Sequence, residues 1–509
     1  MRKFFCGLVI VAVVSMLQIG QAAAPIVSTT DGKVQGIVVD GVACFKGIPY
    51  AAPPVGELRW RPPQAVKPWS GILQTTEYKS RAAQNADLHE FSTAGGSEDC
   101  LYLNVFVPQD FKKPLPVFVW IHGGGLTVGS ANDYNPLPLA KVGKSIVVTF
   151  NFRLGVLGFF GHPALEGEGH ATTNYGLMDQ VAALEWVQKN ISAFGGDPNN
   201  VTIAGQSTGA QSVLALMTSP KAANLFQAAI SMSGCTAMRH SYQKAVALKK
   251  ADDFVKAAGL VNPTAQDLRN LSTEEILRAQ TFPSLFTTDG EYLTEQIGDA
   301  IRAGHVHDVI FVNGTARNEG SFLVAMTELD AKRQMTADDY IKDVQNIAKD
   351  FPNITAEDIL REYSLEKFSS PAEAYATIIT DALFAVTEEE MNCALAEKIP
   401  VYAYEFADET APNYLPKNFS HGAAHTYDIP YIFHDFPGGN ALPTKLNSRQ
   451  TKLSQEMMML WTHVKNLSNQ KKWTPYNATQ KNYFIFSTQG CKMTTDEYNK
   501  IHKLDFWQR

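Results

Sequence analysis

The sequence predicts an α/β protein built on a large, mostly parallel sheet with helices on both faces, preceded by a short N-terminal β-hairpin region. Two observations carry this reading. Short apolar runs without in/out alternation recur along the chain, the pattern of strands buried on both faces of a sheet. Stretches with apolar residues three to four positions apart, the pattern of helices, lie between those runs. Of the 509 residues, 45% are apolar and 19% charged, enough to bury a large core. Length alone would suggest about three domains. No low-complexity linker, internal repeat or compositional break divides the chain, so residues 23–509 read as a single domain.

At the N-terminus, Arg2 and Lys3 precede an apolar run over 4–19 and the flank Gly20-Gln21-Ala22-Ala23-Ala24-Pro25. A basic start, an apolar stretch and small residues at its end describe a secretory signal peptide over residues 1–22. Cleavage after Ala22 leaves small residues at the critical positions and keeps Pro25 off the new N-terminus. A membrane anchor is the alternative, but the stretch is short for a span and its exit flank is uncharged. No other stretch reaches transmembrane length, so an exported soluble protein, periplasmic or secreted, is expected.

Residues 26–44 read as short extended segments around Asp31-Gly32 and Asp40-Gly41, both hairpin signals, and proline-rich connections follow. Buried strands are predicted at 117–121, 145–150, 201–204, 228–232, 309–312 and 401–406. A helix is predicted over 174–194, with Leu177, Val181, Leu184 and Val187 on one face and Gly195-Gly196 as its stop. Further helices are predicted at 210–217, 242–258 and 457–464.

Charge and cysteine content exclude several classes. Net charge is −7, or −9 once Arg2 and Lys3 are removed, and no block of five Lys or Arg occurs, so nucleic acid is not an expected partner. Beyond the leader stand Cys44, Cys100, Cys235, Cys393 and Cys491, an odd number that leaves at least one thiol free. No Cys-x-x-Cys or clustered Cys/His spacing is present, so a structural zinc is not expected; no other metal and no cofactor is expected either.

Chemistry concentrates in two glycine-rich turns. Gly205-Gln206-Ser207-Thr208-Gly209 stands between a predicted strand and a predicted helix. In that context the glycines let strand and helix pass closely, and Ser207 projects from a sharp turn near a helix N-terminus, where negative charge is favoured. His122-Gly123-Gly124-Gly125 closes the strand at 117–121. Its bare backbone N–H groups suit an oxyanion, each such donor being worth about 3–4 kcal/mol. A nucleophilic serine also needs an imidazole, and the imidazole needs a carboxylate. His421, His425, His434, His463 and His502 all lie downstream, and spacing alone does not choose among them.

Longer motifs surround these turns. They include Phe45-Lys46-Gly47-Ile48-Pro49-Tyr50-Ala51, Pro53-Pro54-Val55-Gly56, Leu58-Arg59-Trp60 and Ser97-Glu98-Asp99-Cys100-Leu101-Tyr102-Leu103-Asn104. Asn151-Phe152-Arg153, Asn174-Tyr175-Gly176-Leu177-Met178-Asp179-Gln180 and Phe194-Gly195-Gly196-Asp197-Pro198 complete the set. With them the chain resembles the type-B carboxylesterases, a family of the α/β-hydrolase fold that includes cholinesterases and bacterial para-nitrobenzyl esterases. The likeness runs from about residue 30 to about residue 507.

The resemblance implies that Glu319, in Arg317-Asn318-Glu319-Gly320, is the acid of a triad with Ser207, and that His425 is its base. It implies oxyanion donors at the backbone of Gly124, Gly125 and Thr208, a supporting hydroxyl at Ser233, and scaffold ion pairs Arg59–Glu98 and Arg153–Asp179. Phe322 and Phe286 are candidate pocket walls. Three departures stand out. Gln206 replaces the usual Glu, Thr208 replaces the usual Ala, and residues 82–99 lack the tryptophan with which cholinesterases bind choline. The usual disulfide partner of Cys100 is also replaced, within Ala82-Ala83-Gln84, and a Cys44–Cys100 pairing stays open.

The implied activity is hydrolysis of small carboxylic esters by a metal-free serine carboxylesterase through an acyl-enzyme. A lipase, an amidase or a polyester hydrolase on the same triad remains an alternative. A non-catalytic binding protein is another, opposed by retention of Ser207, Glu319 and His425.

Overall fold

The computed structural model describes residues 24–239, 242–280, 284–413, 415, 418–436 and 445–509; the expected signal peptide at 1–22 lies outside them. Among the described residues, eleven strands form one large sheet. In spatial order its strands are Lys492–Thr495, Asn482–Phe486, Val401–Phe406, Ile310–Ala316, Ala228–Met232, Gly196–Gln206, Leu115–Ile121, Ile146–Phe150, Tyr102–Pro108, Val42–Pro49 and Ile37–Val39. The strands from Asn482–Phe486 to Ile146–Phe150 are mutually parallel. The outer strands pair antiparallel.

All six predicted strands are present, and the fully buried Ile146–Phe150 and Ala228–Met232 show why unbroken apolar runs marked them. Both predicted hairpins form. The one at Asp31-Gly32 joins Ile26–Ser28 to Lys33–Gln35 in a separate three-stranded sheet, whereas the one at Asp40-Gly41 extends the main sheet. The strand Tyr102–Pro108 escaped prediction because the polar Asn104 interrupts its apolar run. Asn104 is nonetheless buried, accepting from Gly47 N–H at 2.9 Å and donating to Thr149 Oγ1 at 3.1 Å.

Helices pack around the sheet. Tyr175–Asn190 is followed by a 3₁₀ turn and then by Gly195, whose φ of 87° is the left-handed stop that a glycine supplies. Thr208–Thr218 and Lys244–Ala257 match expectation closely. The late helix starts at Ser448 rather than at 457, because the Asn447 side chain and Gln450 form a capping box there. Cys44 and Cys100 are both buried free thiols, which answers the open pairing.

The expected ion pairs are present. Arg153 and Asp179 are fully buried and doubly hydrogen-bonded at 2.8 and 2.7 Å, and Arg59 holds both oxygens of Glu98 at 2.7 and 2.6 Å. A third buried charge cluster ties down the C-terminal residues. His502 Nδ1 lies 2.8 Å from Asp381 Oδ1, and its Nε2 lies 2.9 Å from Glu405 Oε1. Carboxylates only accept, so both ring nitrogens donate and the imidazole is cationic. Glu405 also pairs with Arg317 at 2.5 Å, Tyr363 donates to Asp381 at 2.8 Å, and the Tyr498 ring lies against His502.

Burial by itself lowers the His502 pKa, but the two carboxylate hydrogen bonds and charges more than reverse this, and it is pushed up to about 9. A histidine with a raised folded pKa contributes its full stabilisation below its unfolded pKa, near 6.5, and loses it as pH rises through the folded value. Wild type is therefore expected to lose ~3 kcal/mol of stability between about pH 6.5 and 9 from this group. Thermal midpoints of wild type and His502→Gln across that range test this, the variant's curve being the flatter.

Candidate active site

Ser207 sits between the strand Gly196–Gln206 and the helix Thr208–Thr218, with φ 58° and ψ −128°. This conformation is rare for a residue with a side chain, and it throws Oγ out of the turn. The turn stays tight because its flanking residues have no side chains. A Cβ at Gly205 would collide with the Gly209 carbonyl, and one at Gly209 would collide with the Ile121 carbonyl. Ser207 N–H donates to Met232 O at 2.9 Å, carrying the parallel pairing one residue past the strand.

The glycine loop after the neighbouring strand lies against this turn. A Cβ at Gly123 would come within 2.6 Å of Gln206 O and 3.2 Å of Ser207 Cβ. The Gly124 carbonyl accepts from Thr127 N–H at 3.1 Å and Val128 N–H at 3.0 Å. The Gly125 carbonyl accepts from Ser284 N–H and the Thr127 hydroxyl, each at 3.0 Å. A peptide's N–H and C=O point oppositely, so engaging the Gly124 carbonyl fixes the direction of the Gly125 N–H. His122 is buried, stacks on Phe152 and contacts Gly123 O through Nδ1 at 3.0 Å; burial pushes its pKa down to about 4, keeping it neutral.

Glu319 and His425 come together as expected. His425 Nδ1 lies 2.6 Å from Glu319 Oε2, and the flanking Asn318 and Ala424 form a parallel bridge that sets the two loops side by side. The other oxygen of the fully buried Glu319 accepts from Ser233 Oγ at 2.5 Å and from Ala316 N–H at 2.8 Å. With its Nδ1 proton directed at Glu319, His425 presents Nε2 as an acceptor. The Gln206 amide faces that atom at 3.1 Å. Among the described residues no hydrogen bond joins the Ser207 hydroxyl to His425.

Other contacts lie beyond what the motifs indicate. Phe322 and Phe384 flank the His425 ring at centroid distances of 5.9 and 5.7 Å. Phe384 comes from a π-helical turn, Thr380–Ala385, that no sequence signal announces. Phe286 is instead a core residue, edge-on to Phe159. Asp428 is buried close to Glu319 and His425, with Oδ1 unpartnered among the described residues; burial first, then the Glu319 charge, push its pKa up to about 7 despite the pull of His425. Thr208 Oγ1 accepts from Leu126 N–H at 3.2 Å. Both Gln206 and Thr208 were visible in the sequence as departures, but their contacts were not. A cavity of about 210 Å³, walled by Phe159, Phe160, Phe254 and Leu285, shares Ser284 with the glycine loop.

Residues 23–507 match the model of the carboxylesterase family. The para-nitrobenzyl esterase of Bacillus subtilis (strain 168) is 32% identical over 501 residues, covering 94% of this chain and 98% of that protein. The cocaine esterase of Homo sapiens is 32% identical over 547 residues, covering 99% and 94%. A solved PNB esterase superposes with a TM-score of 0.78 at 29% identity, covering 94% of this chain and 99% of its own.

The short Ser233–Glu319 contact generates a prediction. Ser233→Ala leaves a buried carboxylate one donor short, at an expected cost of about 2 kcal/mol. Urea unfolding of the two proteins at pH 7 measures it, and equal midpoints would show the contact to be energetically idle.

Proposed function

Because this chain belongs to the carboxylesterase family and is a carboxylic ester hydrolase of the serine type, we propose that it is an exported esterase working through Ser207, Glu319 and His425. The observation that best supports the triad is the 2.6 Å contact of His425 Nδ1 with a buried Glu319, next to the strained turn at Ser207.

His425 Nε2 takes the proton of Ser207 as Oγ attacks the ester carbonyl, while Glu319 stabilises the imidazolium. For that transfer the Gln206 amide gives up Nε2 to the serine, a tightening common when substrate enters a free site. The negative oxygen of the tetrahedral intermediate is held by the N–H groups of Gly124, Gly125 and Thr208. Its collapse returns the proton from His425 to the departing alkoxide and leaves Ser207 acylated. Water, deprotonated by His425, then attacks the acyl-enzyme; as the acyl–Oγ bond breaks, His425 returns that proton to Ser207 Oγ and the carboxylic acid leaves. Gln206 is neutral, so cationic esters gain no charge partner there, and neutral esters are the proposed substrates. Export rests on the leader pattern at residues 1–22.

Turnover of 4-nitrophenyl acetate, butyrate and decanoate by wild type and Ser207→Ala tests this reading. The variant is expected to lose activity by about 10⁴-fold or more. Rates falling with chain length support an esterase, whereas a maximum on decanoate above its solubility limit favours a lipase. A folded wild type inert on all three overturns the general-esterase reading. For export, the intact mass of protein from the extracytoplasmic fraction should correspond to a chain beginning at Ala23.

A further inference from the structure

We infer that the Thr208 side chain positions the oxyanion loop, a role separate from that of its backbone N–H. The inference rests on the proposed reading of Gly124, Gly125 and Thr208 as the oxyanion donors. Thr208 Oγ1 accepts from Leu126 N–H at 3.2 Å in a closed setting, Leu126 being 1% exposed and Thr208 8%. Leu126 has φ 56°, so a residue with a branched side chain is held in the left-handed region.

The Gly125–Leu126 peptide is thereby gripped at both ends. Its carbonyl accepts from Ser284 N–H and the Thr127 hydroxyl, and its N–H is held by Thr208. A peptide unit is planar and stiff, so gripping both ends fixes its orientation. The preceding unit, whose N–H belongs to Gly125, lies between two glycines with φ values of 110° and 66°. Glycines at both of its Cα atoms make that unit soft. The hold that Thr127 and Val128 have on its carbonyl therefore fixes the Gly125 N–H closely only when the next unit is fixed as well.

Thr208 supplies the fixing from an informative place. It is the first residue of the helix that follows Ser207, so its hydroxyl couples the glycine loop to the nucleophile's own turn. The donors on the loop and the donor on the helix are then held in one frame with Oγ of Ser207. Misplacement of a donor by a fraction of an ångström lowers the rate of the chemical step with little effect on ground-state binding.

The test compares wild type with Thr208→Ser, Thr208→Ala and Thr208→Val, using kcat and KM for 4-nitrophenyl butyrate and the affinity of an aryl trifluoromethyl ketone. That ketone adds to serine hydroxyls and places an oxyanion where the ester's would form. Ala and Val are expected to lower kcat by about tenfold with KM within about twofold, and to weaken the ketone by a similar factor. Ser keeps the acceptor and is expected to recover most of the kcat and ketone affinity that Ala and Val lose. Wild-type kcat in a folded Ala or Val variant overturns the inference. So does a fall in kcat with unchanged ketone affinity, or a Ser variant as poor as Ala. Should neither Ala nor Val fold, amide exchange of Leu126 in wild type decides: protection supports the clamp, and loop-like exchange refutes it. An active Ser207→Ala protein would instead overturn the triad, a separate failure.

Discussion

The backbone of Ser207 is held at φ 58° and ψ −128°, a conformation that costs of order 1–3 kcal/mol for a residue with a side chain and persists only where its surroundings prevent relaxation. Those surroundings are specific. The strand before it is clamped between two parallel neighbours, and the helix after it is buried along nearly its whole length. Gly205 and Gly209 permit strand and helix to pass at a separation no other residues would tolerate. The Ser207 N–H is taken by Met232 O, so the turn cannot unwind without breaking a sheet hydrogen bond.

The same constraint organises the charges. Neighbouring parallel strands end at one edge of the sheet, and each contributes to one cluster there. Ser207 follows Gly196–Gln206, Ser233 follows Ala228–Met232, and Glu319 follows Ile310–Ala316. His425 arrives from the long connection after Val401–Phe406 and is brought to Glu319 by the Asn318–Ala424 bridge. This is the crevice at strand carboxyl ends where ligands bind in open α/β sheets. A carboxylate as deeply buried as Glu319 is tolerable because Ser233, Ala316 and His425 together satisfy it.

Much of this is readable in the residues. Unbroken apolar runs such as Ile146–Phe150 mark buried strands directly. Where a polar side chain is buried in a strand to make hydrogen bonds, as Asn104 is, the run is broken and composition does not reveal the strand. Strand–turn–helix context identifies Ser207, and the glycine run identifies the loop beside it. His425 and Glu319 are not separable by spacing from the other downstream histidines and carboxylates; only likeness to a known family selects them as candidates. His502 illustrates why, since it too pairs with a buried carboxylate yet serves a structural cluster. The contacts of Gln206, Thr208 and Phe384 depend on distances across the fold, which local sequence does not encode.

The His502 cluster also bears on how the chain matures. Asp381 and Glu405 are buried, and the residues that neutralise or bridge them include ones distant along the chain, His502 directly and Trp507 through the Tyr363 hydroxyl. A nascent chain released only up to residue 495 can set Arg317 against Glu405 but leaves the buried Asp381 without the His502 cation. Closure of this part of the core therefore waits until His502 has been made, well after the strand that carries Glu405.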